Sequence, residues 1–212
     1  MIVKVKDYLL LFISIFIVGF AITLITKAGL GATAVTSLAF VISQLSGLSF
    51  GLMTGLFNIL WVVLQMLILR KEFPKIQLLQ FVVAFILGFA VDFANLLLRH
   101  LSVDSYVQQL GILILGCVVM GFGVFLQLKA ATVYNPAEGI VAVISETTQR
   151  PFGTIKTIFD STLVVLSLLV GIVATGHVVG VREGTIVSAL LIGPITGLFQ
   201  KIFHQTSKPL EV

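Results

Sequence analysis

Two carboxylates stand where a carboxylate is costly. Glu138 follows Asn135 and Pro136 in "VYNPAEGIVAVISETTQRPFG" (133–153), which interrupts an apolar run and then continues as a short helical stretch. Asp160 lies on a stripe of helical spacing, Gly153, Thr157, Asp160, Val164, Ser167 and Gly171. A second stripe, Gly51, Gly55, Asn58, Val62 and Gln65, has the near-isostere Asn58 in the same place. A carboxylate held at membrane depth is a functional hypothesis by default, because it can carry a proton or a cation. The start of a short helix adds free N–H groups and partial positive charge, which suit an anionic or polar group. Each residue also has a plainer reading. Glu138 fits a capping box with Asn135, and Asp160 and Asn58 fit interhelical hydrogen bonds. Lys27 and Lys129 fit snorkelling anchors, Trp61 fits packing, and Asp92 and Asn95 sit near a span end.

The elements that must position these residues are membrane helices. Hydrophobic residues make up 58% of the 212, charged residues 10%, and the mean hydropathy is +1.15. A soluble domain of this length cannot hide so much apolar surface. Six stretches reach the roughly 17–25 residues that cross about 30 Å of hydrocarbon. They run from Tyr8 to Thr26, Phe50 to Leu69, Ile76 to Leu98, Val107 to Leu128, Phe152 to Ala174 and Gly184 to Phe203. The basic N-terminus has no convincing small-residue cleavage site after it, so it reads as a retained first span. The chain therefore reads as one all-α integral membrane domain over 1–212, with no room in its loops for a soluble domain. The net charge of +4 is spread over helix ends, with no basic cluster larger than Arg70-Lys71, and does not point to nucleic acid. One cysteine, Cys117, allows no intrachain disulfide.

A shift of 102 residues lays the halves over one another. "GFAITLITKAGLGATAV" (19–35) meets "GFGVFLQLKAATVYNPA" (121–137), and "VISQLSGLSFGLMTGLFN" (41–58) meets "VISETTQRPFGTIKTIFD" (143–160). Eleven identities result, among them Gly19/Gly121, Lys27/Lys129, Ser43/Ser145, Phe50/Phe152 and Phe57/Phe159, more than apolar bias yields by chance. Repeat 1 covers about 8–98 and repeat 2 about 107–204, each a full span, a short helix and two further spans. In the twin of the opening stretch, "GLGATAVTSLAFVISQLSG" (29–47), Thr33 stands in the capping place and Thr36 in that of Glu138, while Gly29 and Gly31 permit a tight entry.

Charge decides between a crossing and a re-entrant short helix. With re-entry and a cytoplasmic N-terminus, Lys4, Lys6, Arg70, Lys71, Lys75, Lys129, Arg150, Lys156, Lys201 and Lys208 lie inside, against Lys27, Arg99 and Arg182 outside. Crossing short helices would give seven against six. The positive-inside rule favours the former: two inverted repeats, each of three transmembrane helices plus one re-entrant half-helix, with both termini cytoplasmic. Eight crossings, 4+4, is the alternative. Irregular backbone at membrane depth must be buried in protein or line a wet cavity, so two related breaks point to a shared central cavity.

The pattern excludes several classes. His100, His177 and His204 are scattered, so no metal-ligand cluster forms, and there is no P-loop, dinucleotide fingerprint or Ser/His/Asp set. An enzyme, a cofactor or a primary pump is not expected. The leading expectation is a small secondary transporter or channel-like permease for a small polar or anionic solute. Its site lies at the repeat interface, built from Glu138, Asn135, Asp160, Asn58, Thr33, Thr36 and Gly31. Its partners are then the lipid bilayer and the solute, with a homo-oligomer left open. Two other classes compete: a substrate-binding membrane module of an energy-coupled uptake system, and a structural or assembly protein whose polar groups only join helices.

"GVREGTIVSALLIGPITGLF" (180–199) resembles the last helix of the YczE/YyaS/YitT-type bacterial membrane proteins, where a G-T-x-x-x-A-L-L-x-G-P pattern recurs. "AGLGATAVTSL" (28–38) is similar to that family's G-L-G-x-S-P-W-D-like turn, with Ala34 for Pro, Val35 for Trp and Thr36 for Asp. "NPAEG" (135–139) keeps Pro136 and an acid at Glu138. The resemblance spans most of the chain. It implies a multi-pass protein of the bacterial inner membrane and specifies no mechanism.

Overall fold

A computed structural model describes residues 5–203; Lys4, Lys208 and His204, and the ends of the chain, lie outside the described residues. Eight α-helices follow one another: α1 (Val5–Lys27), α2 (Ala34–Ser46), α3 (Phe50–Leu69), α4 (Leu79–Leu97), α5 (Tyr106–Ala130), α6 (Pro136–Thr148), α7 (Phe152–Thr175) and α8 (Glu183–Ile202). Two 3-10 turns, Arg70–Glu72 and Lys75–Leu78, join α3 to α4, and no strand occurs among the described residues. The six long helices are each apolar and long enough to cross a membrane. The two short ones have 13 residues each, about 20 Å of helix, too short to cross.

Close contacts fix the helix directions. Gly116 lies against Ile25 and Gly123 against Val18, so α1 and α5 are antiparallel. Tyr8 lines one groove with Leu79, and Gly19 sits on Ala90, so α1 and α4 are parallel. Gly51 meets Gly88 and Gly55 meets Ala84, making α3 and α4 antiparallel. Phe125 stacks on Phe199 and Phe203, so α5 and α8 run together. Let the near face be the end at which α1 begins. Then α1, α4 and α7 run from near to far, while α3, α5 and α8 run from far to near. It follows that α2 leaves and returns to the far face, and α6 leaves and returns to the near face.

The packing falls into two groups. Helix α1 sits between α5 and α4, and α8 packs on α5, around a core that includes Ile15, Ile25, Leu113 and Cys117. The short helices cross to the opposite half, α2 onto α7 and α6 onto α3. Helices α3 and α4 pack closely through glycines, but α7 and α8 make no comparable interface among the described residues. Just 17% of the apolar window of α7, and the same share of α8, is buried, against 56% for α1, so α7 and α8 present most of their surface outward.

That difference separates the two stripes of small and polar residues. The stripe Gly51, Gly55, Asn58, Val62 and Gln65 is buried throughout, as its small and polar character requires. On α7, Ser167 and Gly171 are buried, but Gly153 and Thr157 are exposed. The physical reason is the missing partner: α4 covers the first stripe, and nothing comparable covers the start of the second.

Candidate functional site

At the near face, the start of α6 is built as its sequence demands. Asn135 is extended (φ −60°, ψ 134°) and its Oδ1 accepts from the Ala137 N–H at 3.4 Å, while Pro136 opens the helix. The Glu138 carboxylate does not reach back to close a capping box; it makes no hydrogen bond among the described residues. Partly exposed at the first turn, it lies within electrostatic reach of Lys156 and Asp160. Those two form an ion pair one turn apart on α7, Nζ to the two carboxylate oxygens at 2.7 and 2.8 Å, each side chain about a quarter exposed. Lys156 and Asp160 neutralise each other, so Glu138 brings the unbalanced charge. An acid so placed can accept a proton or hold a cation.

The other side of α6 rests on an amide cluster. Gln65 donates through Nε2 to the Pro136 carbonyl at 3.1 Å and to Gln80 Oε1 at 2.9 Å. Gln80 donates back to Gln65 Oε1 at 3.0 Å and to Gln77 Oε1 at 2.8 Å. All three are fully or nearly fully buried. Gly139 makes room: a Cβ there would stand 2.8 Å from Gln65 Oε1. Thus α3 and α4 grip the first turn of α6 by hydrogen bonds that lipid cannot supply.

The candidate residues at the far face are neutral. Thr33 and Thr36 bond to each other, Oγ1 to Oγ1 at 2.8 Å, and Thr33 makes no side-chain cap for α2. Ser37 meets Ser167 at 2.8 Å. At the 102-residue shift, Ser167 corresponds to Gln65 and Ser37 to Gly139, so the same α-helix pair is joined by one long and one short polar contact. Asn58 is buried; its Nδ2 donates to the Thr54 carbonyl at 2.8 Å, and its Oδ1 has no partner. Gly31 serves packing. It sits at φ +105°, and a Cβ would stand 2.6 Å from Thr185 Oγ1 and 2.7 Å from the Arg182 nitrogen. The loop around it is strapped to the start of α8 by Ala32 N–H to Gly180 O (2.8 Å), Gly184 N–H to Leu30 O (2.8 Å) and Arg182 Nη1 to Gly29 O (2.9 Å).

The seven candidates therefore do not converge on one chamber. Asn135, Glu138 and Asp160 lie toward the near face, and Gly31, Thr33, Thr36 and Asn58 toward the far face. Between them the short helices meet through an apolar cluster of Leu38, Trp61, Ala137, Ile140 and Leu163, with Phe57 and Phe159 packed on it. Trp61 stands edge-on to Phe159 at 5.1 Å and tilted to Phe57 at 6.0 Å. Two apolar grooves, about 270 and 160 Å³, run along α1 and α4, away from this partition. The candidates thus lie at two polar ends, and the inward-facing side chains at mid-depth between them are Leu, Ile, Trp and Phe.

Lys156 was legible as the partner of Asp160 from its i,i+4 spacing. Gln77 and Gln80 were legible only as amides at the start of an apolar span, and Arg182 as one of three outer charges. Among the described residues, no group of three His, Cys, Asp or Glu side chains forms a metal site.

Fold and composition define an all-helical, multi-pass membrane protein. Residues 5–201 match the family of unknown function DUF6198, and the chain belongs to that family. No curated protein and no solved structure matches it.

Proposed function

We propose that this chain is a small secondary transporter or channel-like permease for a small polar or anionic solute, with polar half-sites at the two faces and an apolar gate between them. The observation that carries this reading is Glu138. It is a carboxylate without a hydrogen-bond partner, at the start of a short helix that turns back inside the bundle, beside a neutral Lys156–Asp160 pair. A group serving only as a cap would be bonded to the backbone it caps. Glu138 is assigned the coupling proton or cation; Asn58, with its unpartnered buried oxygen, and the uncapped start of α2 are assigned to the solute.

Two inverted repeats, with both termini cytoplasmic in a bacterial inner membrane, belong to the same proposal. Support comes from the opposite directions of α1 and α5, α3 and α7, and α4 and α8. The gate supports it too, since it is built from pairs at the 102-residue shift: Leu38/Ile140, Trp61/Leu163 and Phe57/Phe159. The near face is then the cytoplasmic one, and the location follows from the resemblance to the YczE/YyaS/YitT-type proteins.

The test uses purified protein in detergent, screened by thermal shift against small anions and neutral polar solutes, with hits carried into liposome flux assays. Ligand binding to the native state raises the melting temperature in proportion to occupancy. Glu138→Gln is expected to fold, with at most about 1 kcal/mol lost, and to abolish proton- or cation-coupled flux. Unchanged coupled flux in that variant would refute the role of Glu138. The dry partition favours one other reading, a structural protein. In that case Asp160→Asn alters stability alone and no solute shifts the melting curve.

A further inference from the structure

The break between α5 and α6 contains buried polar groups with no hydrogen-bond partner among the described residues. Gln127, on the last turn of α5, is buried, and neither its Oε1 nor its Nε2 has a hydrogen-bond partner. Thr132 lies just past Ala131, the left-handed residue (φ 45°) at which α5 ends; it too is buried, and its Oγ1 has no partner. A carboxamide offers two donors and an acceptor, and a hydroxyl offers one of each kind. Buried groups of this kind are bonded to protein or to ordered water in nearly every native structure.

The corresponding break in the first half shows what a dry version looks like. At the 102-residue shift, Gln127 faces Ile25 and Thr132 faces Leu30, both fully buried and apolar. There the loop's backbone groups are taken up by Gly180, Gly184 and Arg182 from the turn before α8. The equivalent turn, residues 70–78, makes no such strap to the α5–α6 loop among the described residues. Two apolar side chains and a strap at one break are matched by two polar side chains and no strap at the other.

We infer that the α5–α6 break is an internal water site, in which ordered water bonds Gln127 and Thr132 and wets the entry to α6. The class of ligand follows from the groups: an unpaired NH2 donor rules against a bare cation, an unpaired carbonyl against a bare anion, and water serves both. Buried water is retained where polar groups lack protein partners, whereas apolar surroundings stay dry. The inference holds whether or not a solute crosses the bundle, so it stands apart from the transport reading.

The sign of a stability change tests it. Gln127→Met and Thr132→Val keep volume and remove the polar atoms. If water satisfies those atoms, each variant loses hydrogen bonds, and the melting temperature falls by about 2–4 °C. If the atoms are buried and dry, removing them relieves an uncompensated burial, and the melting temperature rises; a rise or no change in both variants overturns the inference. Radiolytic footprinting of the full-length wild-type protein gives a measurement that needs no variant. Val133 should be oxidised faster than Leu30, its neighbour's counterpart at the strapped break; equal protection at both breaks counts against the water. Exchange of sodium for choline should leave the melting curve unmoved, and a sodium-dependent shift would replace water with a cation.

Discussion

The close approach where α3 crosses α4 gives a stability test with its own internal control. Gly51 rests on the backbone of Gly88, and a Cβ at position 51 would fall directly on the Gly88 carbonyl oxygen and the Asp92 carboxyl group. From the other side, a Cβ on Gly88 would stand 2.7 Å from the Gly51 oxygen, and Gly55 continues the contact at 3.4 Å to the Ala84 oxygen. Because the obstacles are backbone, Gly51→Ala must push the helices apart, an overpacking cost of about 1–3 kcal/mol. The same shift breaks the Asp92 clamp, which accepts from the Ser49 hydroxyl at 2.5 Å and the Gly51 N–H at 2.8 Å; a lost cap adds about 0.5–2 kcal/mol. Against this, alanine is the better helix former by about 1 kcal/mol. The net expectation is a loss of about 0.5–4 kcal/mol. Gly153, the partner of Gly51 at the 102-residue shift, has nothing within 4 Å of a built Cβ. Gly153→Ala should therefore be neutral or stabilising by up to about 1 kcal/mol. Reversible unfolding in mixed micelles, run on both variants side by side, reads the difference. Equal effects would refute the claim that α3 and α4 pack backbone to backbone while α7 stands free at its start.

Other outcomes follow from the same contacts. Gly31→Ala combines a left-handed φ with two contacts under 3 Å at the start of α8, and should cost about 1–3 kcal/mol, read by the same unfolding assay. Gln65→Leu leaves buried amide groups of Gln80 and the Pro136 carbonyl short of partners and should cost about 1–3 kcal/mol. Adding Gln80→Leu should cost less than the sum of the single changes, so a double-mutant cycle with no coupling would dismiss the network.

Much of the fold is legible in the sequence because bilayer thickness sets helix length. Span ends read from hydropathy at Phe50, Leu69 and Phe152 coincide with the helices, and α5 and α8 differ by a residue or two. The start of α4 was read three residues early, because Ile76 and Leu78 are apolar but sit in a 3-10 turn held by Gln77. The short helices announced themselves through Pro136 and the glycines near 29–31. The site was less legible for a physical reason. Hydropathy shows that a residue is polar, not which neighbour satisfies it, and Asn58, Gln65 and Gln127 look alike on that scale. Their fates differ: Gln65 is fully bonded, Asn58 keeps one free oxygen, and Gln127 is bonded to nothing. The apolar cluster between the short helices was hidden because Leu38 and Ile140 are as unremarkable as any lipid-facing residue.

Five polar differences between matched positions fall the same way. At the 102-residue shift, Glu138 faces Thr36, Asp160 faces Asn58, Gln65 faces Ser167, Gln127 faces Ile25, and Thr132 faces Leu30. In each pair the charged, longer or polar member lies toward the near face, and the shorter or apolar one toward the far face. The pairs do not follow the halves of the chain, because Gln65 belongs to the first half and its near-face companions to the second. At these five pairs position in the bundle, not descent, tracks the chemistry, while Thr23/Phe125 and Thr26/Leu128 run the other way. The far face is tied down, its loop strapped to α8 through Arg182 and its serines and threonines bonded to each other. The near face holds an unbonded acid and two side chains lacking partners among the described residues, against one free oxygen, Asn58 Oδ1, toward the far face. Motion coupled to protonation would begin where bonds are missing and charge is unbalanced. On the transport reading, that places the coupling step at α6, with α2 as the fixed element against which it moves.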